Sequence, residues 1–356
     1  MPERQRMTTR LKTLFERPTL FVLAGGINPI GAKMAEALGY DAFYMSGGNT
    51  SAHQLGWPDS GTSMRDMVDN ARKIVLTVQI PVFADADTGY GDAISTHYTV
   101  REYIQAGIAG AHIEDQTFPP KSGPRRRCIS IQEMVGKLRA AMDAKQALDP
   151  DFVIMARCDL GGVPGASFAE IIERCQAYKA DAQVDVICPN GLRTWEEIQE
   201  AIRLIPGPVV PLIPAHLSPY PSLQAQQDAG AAAAWFPALT TMAGLQANWD
   251  FLSDFQQRGT LALDALRAQA AQSPWGAPAM AAFWTSHACA PWRRCIFQTK
   301  AGRRCPGLGA GAANARRSRC VGRSRPGRGA GRNRRNGQTR RREPACRRDD
   351  NAERRS

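Results

Sequence analysis

The stretch Ile80–Gly91 reads IPVFADADTGYG and joins an apolar run to a short acidic segment with two glycines. Its first six residues, Ile80–Asp85, are almost continuously apolar, which is typical of a parallel strand covered on both faces. The acidic residues follow at the point where such a strand would end. Since a buried parallel strand needs similar neighbours on both sides, the fold depends on how many such runs the chain contains.

Seven further runs of this kind occur before residue 240: Thr19–Ala24, Asp41–Met45, Gly110–Glu114, Asp151–Arg157, Val184–Cys188, Pro208–Ile213 and Ala232–Phe236. Amphipathic helical segments lie between them, and the clearest are Pro29–Gly39, Ser63–Val78, Ser130–Leu148 and Thr194–Ile205. Eight strand–helix units in about 250 residues predict an α/β fold, a (β/α)8 TIM-type barrel. An open doubly wound sheet is the alternative, but the turn after the first run, Ala24–Asn28, lacks its glycine fingerprint.

The chain continues as helix for longer than a barrel needs. Thr241–Arg258 and a second helical run from Leu261 follow the eighth predicted strand. These extra C-terminal helices either cap the barrel or pack on a neighbouring subunit. We expect residues 1–275 to form one domain that contains the barrel and these helices.

The composition changes abruptly near the C-terminus. Residues 290–356 hold 20 Arg and one Lys against two Asp and two Glu, so this tail carries +17 of a whole-chain net charge of +12 and leaves −5 on residues 1–289. An Arg/Gly-rich tail with almost no aliphatic residues cannot bury a core, so we predict that it is disordered. A GC-rich coding sequence that is translated in the wrong reading frame yields a composition of this kind. We therefore interpret 290–356 as a frameshift product. The alternative is a nucleic-acid-binding extension, which the lack of aromatic residues after Phe297 disfavours.

The composition also excludes several classes of protein. The sequence has no run of about 18 apolar residues, so we expect no membrane span. The polar N-terminus lacks the apolar core of a secretory signal. Nine cysteines without regular spacing do not make a disulfide framework. We therefore expect a cytoplasmic protein.

Carboxylates follow two neighbouring strands. Asp85 and Asp87 come at the end of the third predicted strand, and Glu114 ends the fourth. In a barrel such strand ends converge on one face, so these side chains should lie close together. Carboxylates at that distance repel unless a cation lies between them, and all-oxygen ligands suit Mg²⁺ or Mn²⁺. Helix capping explains any one of them equally well, but it explains the three together poorly.

Two other strand ends favour an anionic ligand. Glycines in Ser46-Gly47-Gly48 let a ligand approach backbone N–H groups at a helix start, although a plain turn explains the segment equally well. Arg157 ends the fifth predicted strand and offers a fixed cation for a carboxylate. A metal, an arginine and an anion-binding turn together predict a small di-acid or phosphonate substrate.

These segments resemble one enzyme family. Ser46–Gly48, ADADTGYG at Ala84–Gly91, IEDQ at Ile113–Gln116 and ARCD at Ala156–Asp159 are similar to the isocitrate lyase/phosphoenolpyruvate mutase superfamily, and in particular to 2-methylisocitrate lyase-like and carboxyvinyl-carboxyphosphonate phosphonomutase-like proteins. The resemblance covers roughly residues 11–259. It implies a (β/α)8 barrel, a Mg²⁺-bound 2-oxo or 2-hydroxy carboxylate, and a homotetramer that exchanges a C-terminal helix between subunits.

The resemblance also implies roles for individual residues. Asp85 would be the main metal ligand, with Asp87 and Glu114 holding the ion largely through waters. Ser46, Gly47 and Gly48 would grip the substrate carboxylate, and Arg157 would bind the substrate. Asp59 would lie near the reacting centre.

Two positions depart from the lyases of this family. Their general-acid cysteine lies in a loop that reads PKSGPRRRC here (Pro120–Cys128), and Ser122 or Gly123 stands in its place beside Lys121. We keep Lys121 and Ser122 as candidate catalytic residues, although a serine hydroxyl is a weak acid at neutral pH. Asn190 replaces a glutamate of the lyases, and we expect it to bind substrate. Two further residues are weaker candidates. Cys128 comes a few residues after the position of the family's cysteine, and His216, after the seventh predicted strand, could transfer a proton or could simply be a loop histidine on the rim.

We therefore predict a Mg²⁺-dependent carbon–carbon lyase. It would cleave a small 2-hydroxy or 2-oxo di-acid through a metal-stabilised pyruvate enolate, as methylisocitrate lyase or an oxaloacetate decarboxylase would. A phosphonomutase or phosphonopyruvate hydrolase on the same barrel is one alternative. A non-catalytic barrel with a nucleic-acid-binding tail is the other, and we do not expect nucleic acid as a partner.

Overall fold

Seven strands form the wall of the structure. The computed structural model describes residues 5–56, 61–118 and 126–273, all within one structural unit, 1–277. The strands are β1 (Phe21–Gly26), β2 (Ala42–Met45), β3 (Val82–Asp85), β4 (Gly110–Glu114), β5 (Val153–Cys158), β6 (Val186–Pro189) and β7 (Ala233–Phe236). They form one parallel sheet in the order β6-β5-β4-β3-β2-β1-β7.

Helices follow the strands along the chain. They are α1 (Met7–Glu16), α2 (Pro29–Ala37), α3 (Gly47–Leu55), α4 (Met64–Val75), α5 (Ala93–Gln105), α6 (Ile131–Leu148), α7 (Phe168–Ala182), α8 (Trp195–Leu204), α9 (Leu223–Asp228), α10 (Leu239–Arg258) and α11 (Thr260–Ala271), with a short 3₁₀ helix at Leu160–Gly162. Several begin at a side-chain cap that accepts a hydrogen bond from the third helical residue, as Ser63 does for α4 and Ser130 for α6. The four helices predicted from the sequence correspond to α2, α4, α6 and α8.

The seventh predicted strand along the chain, Pro208–Ile213, closes the gap between β6 and β7. The Val210 N–H donates to the Ile187 carbonyl at 2.9 Å, and the Ala232 N–H donates to the Val209 carbonyl at 2.9 Å. The segment makes only one parallel bridge, between Ile187 and Val209, and is not a regular strand. Pro208 and Pro211 lack the N–H groups that would extend the ladder. We call this segment the seam.

Two apolar cores hold the barrel. One lies between the sheet and the surrounding helices and includes Met67 of α4, Tyr103 of α5 and Leu138 of α6. The other fills the inside of the barrel with alternate residues of the strands, closed at one end by α1: Leu11, Phe15, Phe21, Leu23, Ala42, Tyr44, Phe83, Ala109, Val153, Met155, Val186, Cys188, Val210, Ala233 and Trp235. Since Val210 belongs to the inner core, the seam completes the wall. The structure confirms the TIM-type barrel predicted from the sequence.

The two C-terminal helices expose apolar side chains. In α10 only Thr241 is buried, and in α11 only Ala262 is buried. The exposed apolar residues of the two helices are Leu239, Met242, Leu245, Trp249, Leu252, Phe255, Leu261 and Leu266. None of the helices in the described residues is long and apolar enough to cross a membrane. The predicted tail, 290–356, lies outside the described residues.

Candidate active site

Inward-facing polar residues gather where β2 to β5 end. Side chains alternate between the two faces of a strand, so the residue two positions after an inner-core residue also faces the barrel interior. Asp85 follows Phe83 in this way, and Arg157 follows Met155. The resulting cleft has a volume of about 300 Å³ and is lined by Tyr44, Ser46, Gly48, Asn49, Asp85, Glu114, Arg157, Leu212, Trp235 and Pro237.

Asp85 is held by groups from three strands. Its Oδ2 accepts hydrogen bonds from the Gly47 N–H at 3.0 Å and from the Tyr44 hydroxyl at 3.2 Å. Its Oδ1 accepts from the Asp87 N–H at 2.8 Å and lies 3.4 Å from Nε2 of His112. Burial raises the pKa of Asp85, but the charge and hydrogen bond of His112 and the charge of Arg157 outweigh it, so that this pKa lies below its ordinary value.

Glu114 and Arg157 belong to a closed ring of four side chains. Oε1 of Glu114 forms an ion pair with Nη1 of Arg157 at 2.6 Å, and Nε of Arg157 donates to Oδ1 of Asp159 at 3.0 Å. Gln116 completes the ring, because its Nε2 lies 2.6 Å from Oδ2 of Asp159 and 2.5 Å from Oε2 of Glu114. All four side chains are buried. Burial raises the pKa of Glu114 well above its ordinary value, and Arg157 opposes this only in part.

One group of side chains in the described residues could hold a metal ion. It consists of Asp85, His112 and Glu114, whose candidate ligand atoms lie within 4.8 Å of one another. Nε2 of His112 is 2.9 Å from the Tyr44 hydroxyl, and Nδ1 of this buried ring has no hydrogen-bond partner among the described residues. A cation in the cleft would favour the charged form of the carboxylates, which burial disfavours.

Asp87 lies outside that group of three. Its backbone has a φ of 52°, and its Oδ1 accepts from the Thr88 N–H at 2.6 Å. Burial and the charge of Asp85 raise the pKa of Asp87 to about 7. The role expected of Asp87, holding a metal through water, stays a prediction.

The Ser46–Gly48 segment begins α3 directly beside Asp85. Ser46 is the residue before the helix, and its Oγ accepts from Nδ2 of Asn49 at 2.8 Å. A Cβ atom at Gly47 would lie 2.6 Å from Oδ2 of Asp85, so glycine is required for this close approach. The segment therefore combines the start of a helix with a carboxylate contact, because the Ser46 N–H donates to the Gly26 carbonyl and the Gly47 N–H donates to Asp85.

The remaining predicted residues fall into two groups. Asn190 donates its side-chain amide to Oδ1 of Asp159 and is not among the residues that line the cleft. Nε2 of the exposed His216 lies 3.1 Å from the Arg193 carbonyl oxygen. Cys128 donates to Asp115, and burial together with the charge of Asp115 raises the pKa of its thiol. Three further candidates lie outside the described residues: Asp59, Lys121 and Ser122.

The sequence analysis missed Tyr44, His112, Gln116, Asp159 and Trp235. The alternation of side chains along a strand could have identified two of them. His112 precedes Glu114 by two positions and Tyr44 precedes Ser46 by two, so each pair faces the same side of its strand. Gln116 and Asp159 are part of motifs that were noted but were given no role.

The comparisons with known proteins identify a family. A family model described as phosphoenolpyruvate phosphomutase matches residues 11–248. The 2,3-dimethylmalate lyase of Eubacterium barkeri is 41% identical over 201 residues, which are 56% of this chain and 68% of that relative. The 2-methylisocitrate lyase of Aeropyrum pernix is 35% identical over 254 residues, which are 70% of this chain and 80% of the relative.

Solved structures show the same likeness. Oxaloacetate acetylhydrolase in complex with the inhibitor 3,3-difluorooxalacetate matches with a TM-score of 0.71 at 28% identity, over 85% of this chain and 99% of the other. Phosphonopyruvate hydrolase in complex with oxalate and Mg²⁺ matches with a TM-score of 0.71 at 26% identity, over 84% and 100%. The family model covers more than half of the chain. This chain therefore belongs to the isocitrate lyase/phosphoenolpyruvate mutase superfamily.

Proposed function

We propose that this protein is a Mg²⁺-dependent carbon–carbon lyase that acts on a small 2-hydroxy or 2-oxo di-acid. The observation that carries the proposal is the cleft in which Asp85 and Glu114 face Arg157 beside the Ser46–Gly48 backbone. Carboxylates with a guanidinium beside the start of a helix suit a metal-bound di-anion. The named lyases among the relatives support the reaction class.

Arg157 would stabilise the charge that the reaction creates. Cleavage of a 2-oxo di-acid next to its carbonyl group leaves an enolate. Cleavage of a 2-hydroxy di-acid also removes the hydroxyl proton and leaves the enolate on the other carboxylate fragment. A guanidinium remains charged throughout either reaction. Its Nε and Nη1 are held by Asp159 and Glu114, so Arg157 needs no reorientation as charge develops. One positioned donor of this kind contributes ~3–4 kcal/mol to the transition state. The Ser46–Gly48 segment would hold the substrate carboxylate that does not react.

The metal proposal rests on the donor set of the cleft. Asp85 would bind Mg²⁺ or Mn²⁺ directly, while Asp87 and Glu114 would bind its water ligands. Glu114 fits an indirect role, because both of its oxygens already contact Arg157 and Gln116. When bound, the ion would polarise the carbonyl oxygen of the substrate. We also propose that Asp59, Lys121 and Ser122 lie near the reacting atoms, and that Asn190 contributes to substrate binding.

A phosphonopyruvate hydrolase is the second candidate. Its structure resembles this chain over 84% of the sequence, and it was obtained with oxalate and Mg²⁺. This chain also has Asn190 in place of a glutamate of the lyases, and Ser122 or Gly123 in place of their general-acid cysteine. A reaction that takes its last proton from water would tolerate both replacements.

We further propose a cytoplasmic homotetramer in which C-terminal helices are exchanged between subunits. The exposed apolar side chains of α10 and α11 support this, since they would otherwise remain in contact with water. Four cysteines of the described residues carry free thiols, which fits a reducing compartment: Cys128, Cys158, Cys175 and Cys188.

A substrate panel tests the proposed function. Methylisocitrate, dimethylmalate, oxaloacetate and phosphonopyruvate would each be incubated with and without Mg²⁺, and pyruvate, oxalate and phosphate would be measured. We expect a carbon–carbon cleavage product from at least one di-acid, in a metal-dependent reaction. Release of phosphate from phosphonopyruvate alone would favour the second candidate, and no product from any compound would refute the enzyme proposal.

The variant Asp85→Ala tests the metal site separately. We expect it to lose turnover together with the thermal stabilisation that Mg²⁺ gives the parent protein. If Asp85→Ala binds Mg²⁺ as tightly as the parent, the assignment of Asp85 as a ligand is wrong.

A further inference from the structure

Asp159 is a fully buried carboxylate that four side chains from different parts of the chain approach. Nε of Arg157 and the amide of Asn190 donate to its Oδ1, and Nε2 of Gln116 lies 2.6 Å from its Oδ2. Nη1 of Arg126 forms a longer ion pair with Oδ1 at 3.7 Å. Asp159 is not among the residues that line the cleft, so its effect on a ligand must pass through the groups that it holds.

We infer that Asp159 is a positioning residue for Arg157 and Glu114, and that Arg126 sets how tightly Asp159 holds Arg157. The inference rests on the proposed function only in placing an anionic ligand beside Arg157. Two guanidinium groups compete for one carboxylate oxygen. The positive charge of Arg126 offsets part of the negative charge of Asp159. Asp159 then neutralises less of the charge of Arg157, so that Arg157 attracts an anionic ligand in the cleft more strongly.

Burial strengthens the electrostatic interactions of Asp159 with the two arginines. The side chain of Asp159 is 0% exposed and that of Arg157 is 10% exposed, so water screens their interaction weakly. The two arginines outweigh the burial of Asp159 and lower its pKa to about 2. Asp159 is therefore charged at neutral pH, and both cations interact with a full negative charge.

Gly162 provides the space that Arg126 occupies. A Cβ atom at Gly162 would lie 2.7 Å from Nη1 and 2.9 Å from Cδ of Arg126. The Arg126 side chain is 26% exposed and flexible, so an alanine at position 162 would move the arginine and leave the backbone in place. Gly162→Ala and Arg126→Ala thus remove the same ion pair by independent changes.

The test measures binding of oxalate in the presence of Mg²⁺ by calorimetry, with the full-length protein. We expect Arg126→Ala and Gly162→Ala each to weaken oxalate binding roughly three- to fivefold, the range of a partly exposed ion pair. The double variant should bind as each single variant does, because the second change removes nothing more. If a substrate is known, KM should rise by the same factor while kcat stays within about twofold.

Arg127→Ala is the matched control. Arg127 is exposed, and its backbone carbonyl accepts from the Thr117 N–H without use of the side chain. We expect the Arg127→Ala variant to bind oxalate with the same affinity as the parent protein. In an Asp159→Asn background, Arg126→Ala should change the affinity by less than about 1.5-fold, because the charge on which Arg126 acts is gone.

Parent-like oxalate binding by Arg126→Ala would overturn the inference, as would additive effects of Arg126→Ala and Gly162→Ala. The measurement does not depend on turnover. An inactive substrate panel combined with these affinity changes would therefore reject the proposed function and leave the role of Arg126 intact.

Discussion

The backbone N–H of Gly47 lies 3.0 Å from Oδ2 of Asp85, and this hydrogen bond joins the end of β2 to the end of β3. It places the start of α3, where an anion would bind, against the carboxylate that would bind the metal. The two halves of the candidate site therefore share one contact. A change at Gly47 should disturb both halves without replacing any titratable residue.

Gly47→Ala should displace the Asp85 carboxylate, because the new Cβ atom would meet Oδ2 at 2.6 Å. A shift of about 1 Å at a reacting group can cost on the order of 100-fold in rate, and we expect a loss of that size in kcat/KM with weaker Mg²⁺ binding. Calorimetric Mg²⁺ titration and steady-state kinetics measure both. Gly136→Ala in α6 is the control, since nothing lies within 4 Å of its new Cβ and it should stabilise the fold by about 0.5–1 kcal/mol. Parent-like Mg²⁺ binding by Gly47→Ala would contradict this prediction.

Trp235→Ala should destabilise the inner core. Trp235 is 2% exposed, and its ring packs edge-on against Tyr44 at 4.9 Å and His112 at 5.2 Å between centroids. Removing a buried tryptophan side chain costs about 3–5 kcal/mol in the free energy of unfolding, which urea denaturation would measure. Trp235→Phe is the control and should cost much less, because the indole N–H has no hydrogen-bond partner among the described residues. Equal losses in the two variants would show that packing is not the cause.

Charges on the exposed face of α10 should break the proposed assembly. Trp249 is 72% exposed and Leu252 is 65% exposed, one turn apart on the helix. We expect Trp249→Asp combined with Leu252→Asp to convert the proposed tetramer into smaller species in light scattering. Gln146→Asp on α6 adds a charge to another exposed position and should leave the mass unchanged. An unchanged mass for the α10 variant would reject this interface.

Ser122→Ala should leave kcat within about threefold of the parent, because a serine hydroxyl is a poor acid at neutral pH. Steady-state kinetics on the substrate found in the panel measures this. A loss of several hundredfold would show that the serine takes part in catalysis. Ser122→Cys provides the converse measurement, since a gain of methylisocitrate cleavage would show that the acid alone separates this chain from the lyases.

The sequence predicted most of the barrel because its strands are short, continuously apolar runs, and the runs at Asp41–Met45 and Gly110–Glu114 match β2 and β4 closely. The run at Pro208–Ile213 was predicted as a strand from the same apolar pattern. That pattern depends on side chains alone and does not consider that proline lacks a backbone N–H. Its prolines reduce it to the seam. The C-terminal helices were predicted from their periodicity and agree with α10 and α11.

The sequence could predict those site residues that lie directly at the end of a predicted strand. Asp85, Glu114 and Arg157 meet because parallel strands end at the same edge. The ring through Gln116 and Asp159 could not be predicted, since these residues are 43 positions apart and their contact depends on how β4 pairs with β5. No local pattern in a sequence records that pairing.

The polar side and the apolar side of the cleft differ in how tightly the backbone around them is paired. Asp85 is on β3, the central strand of the seven, and Glu114 and Arg157 are on the next two strands, where the backbone pairing is continuous. The apolar wall comes instead from Leu212 in the seam and from Trp235 and Pro237 at the outer strand β7. Substitutions at Leu212 and Pro237 can reshape the space offered to a substrate while the reacting groups keep their places, whereas Trp235 packs against Tyr44 and His112 beside Asp85. A family built on this barrel can therefore exchange substrates between members and retain one reaction.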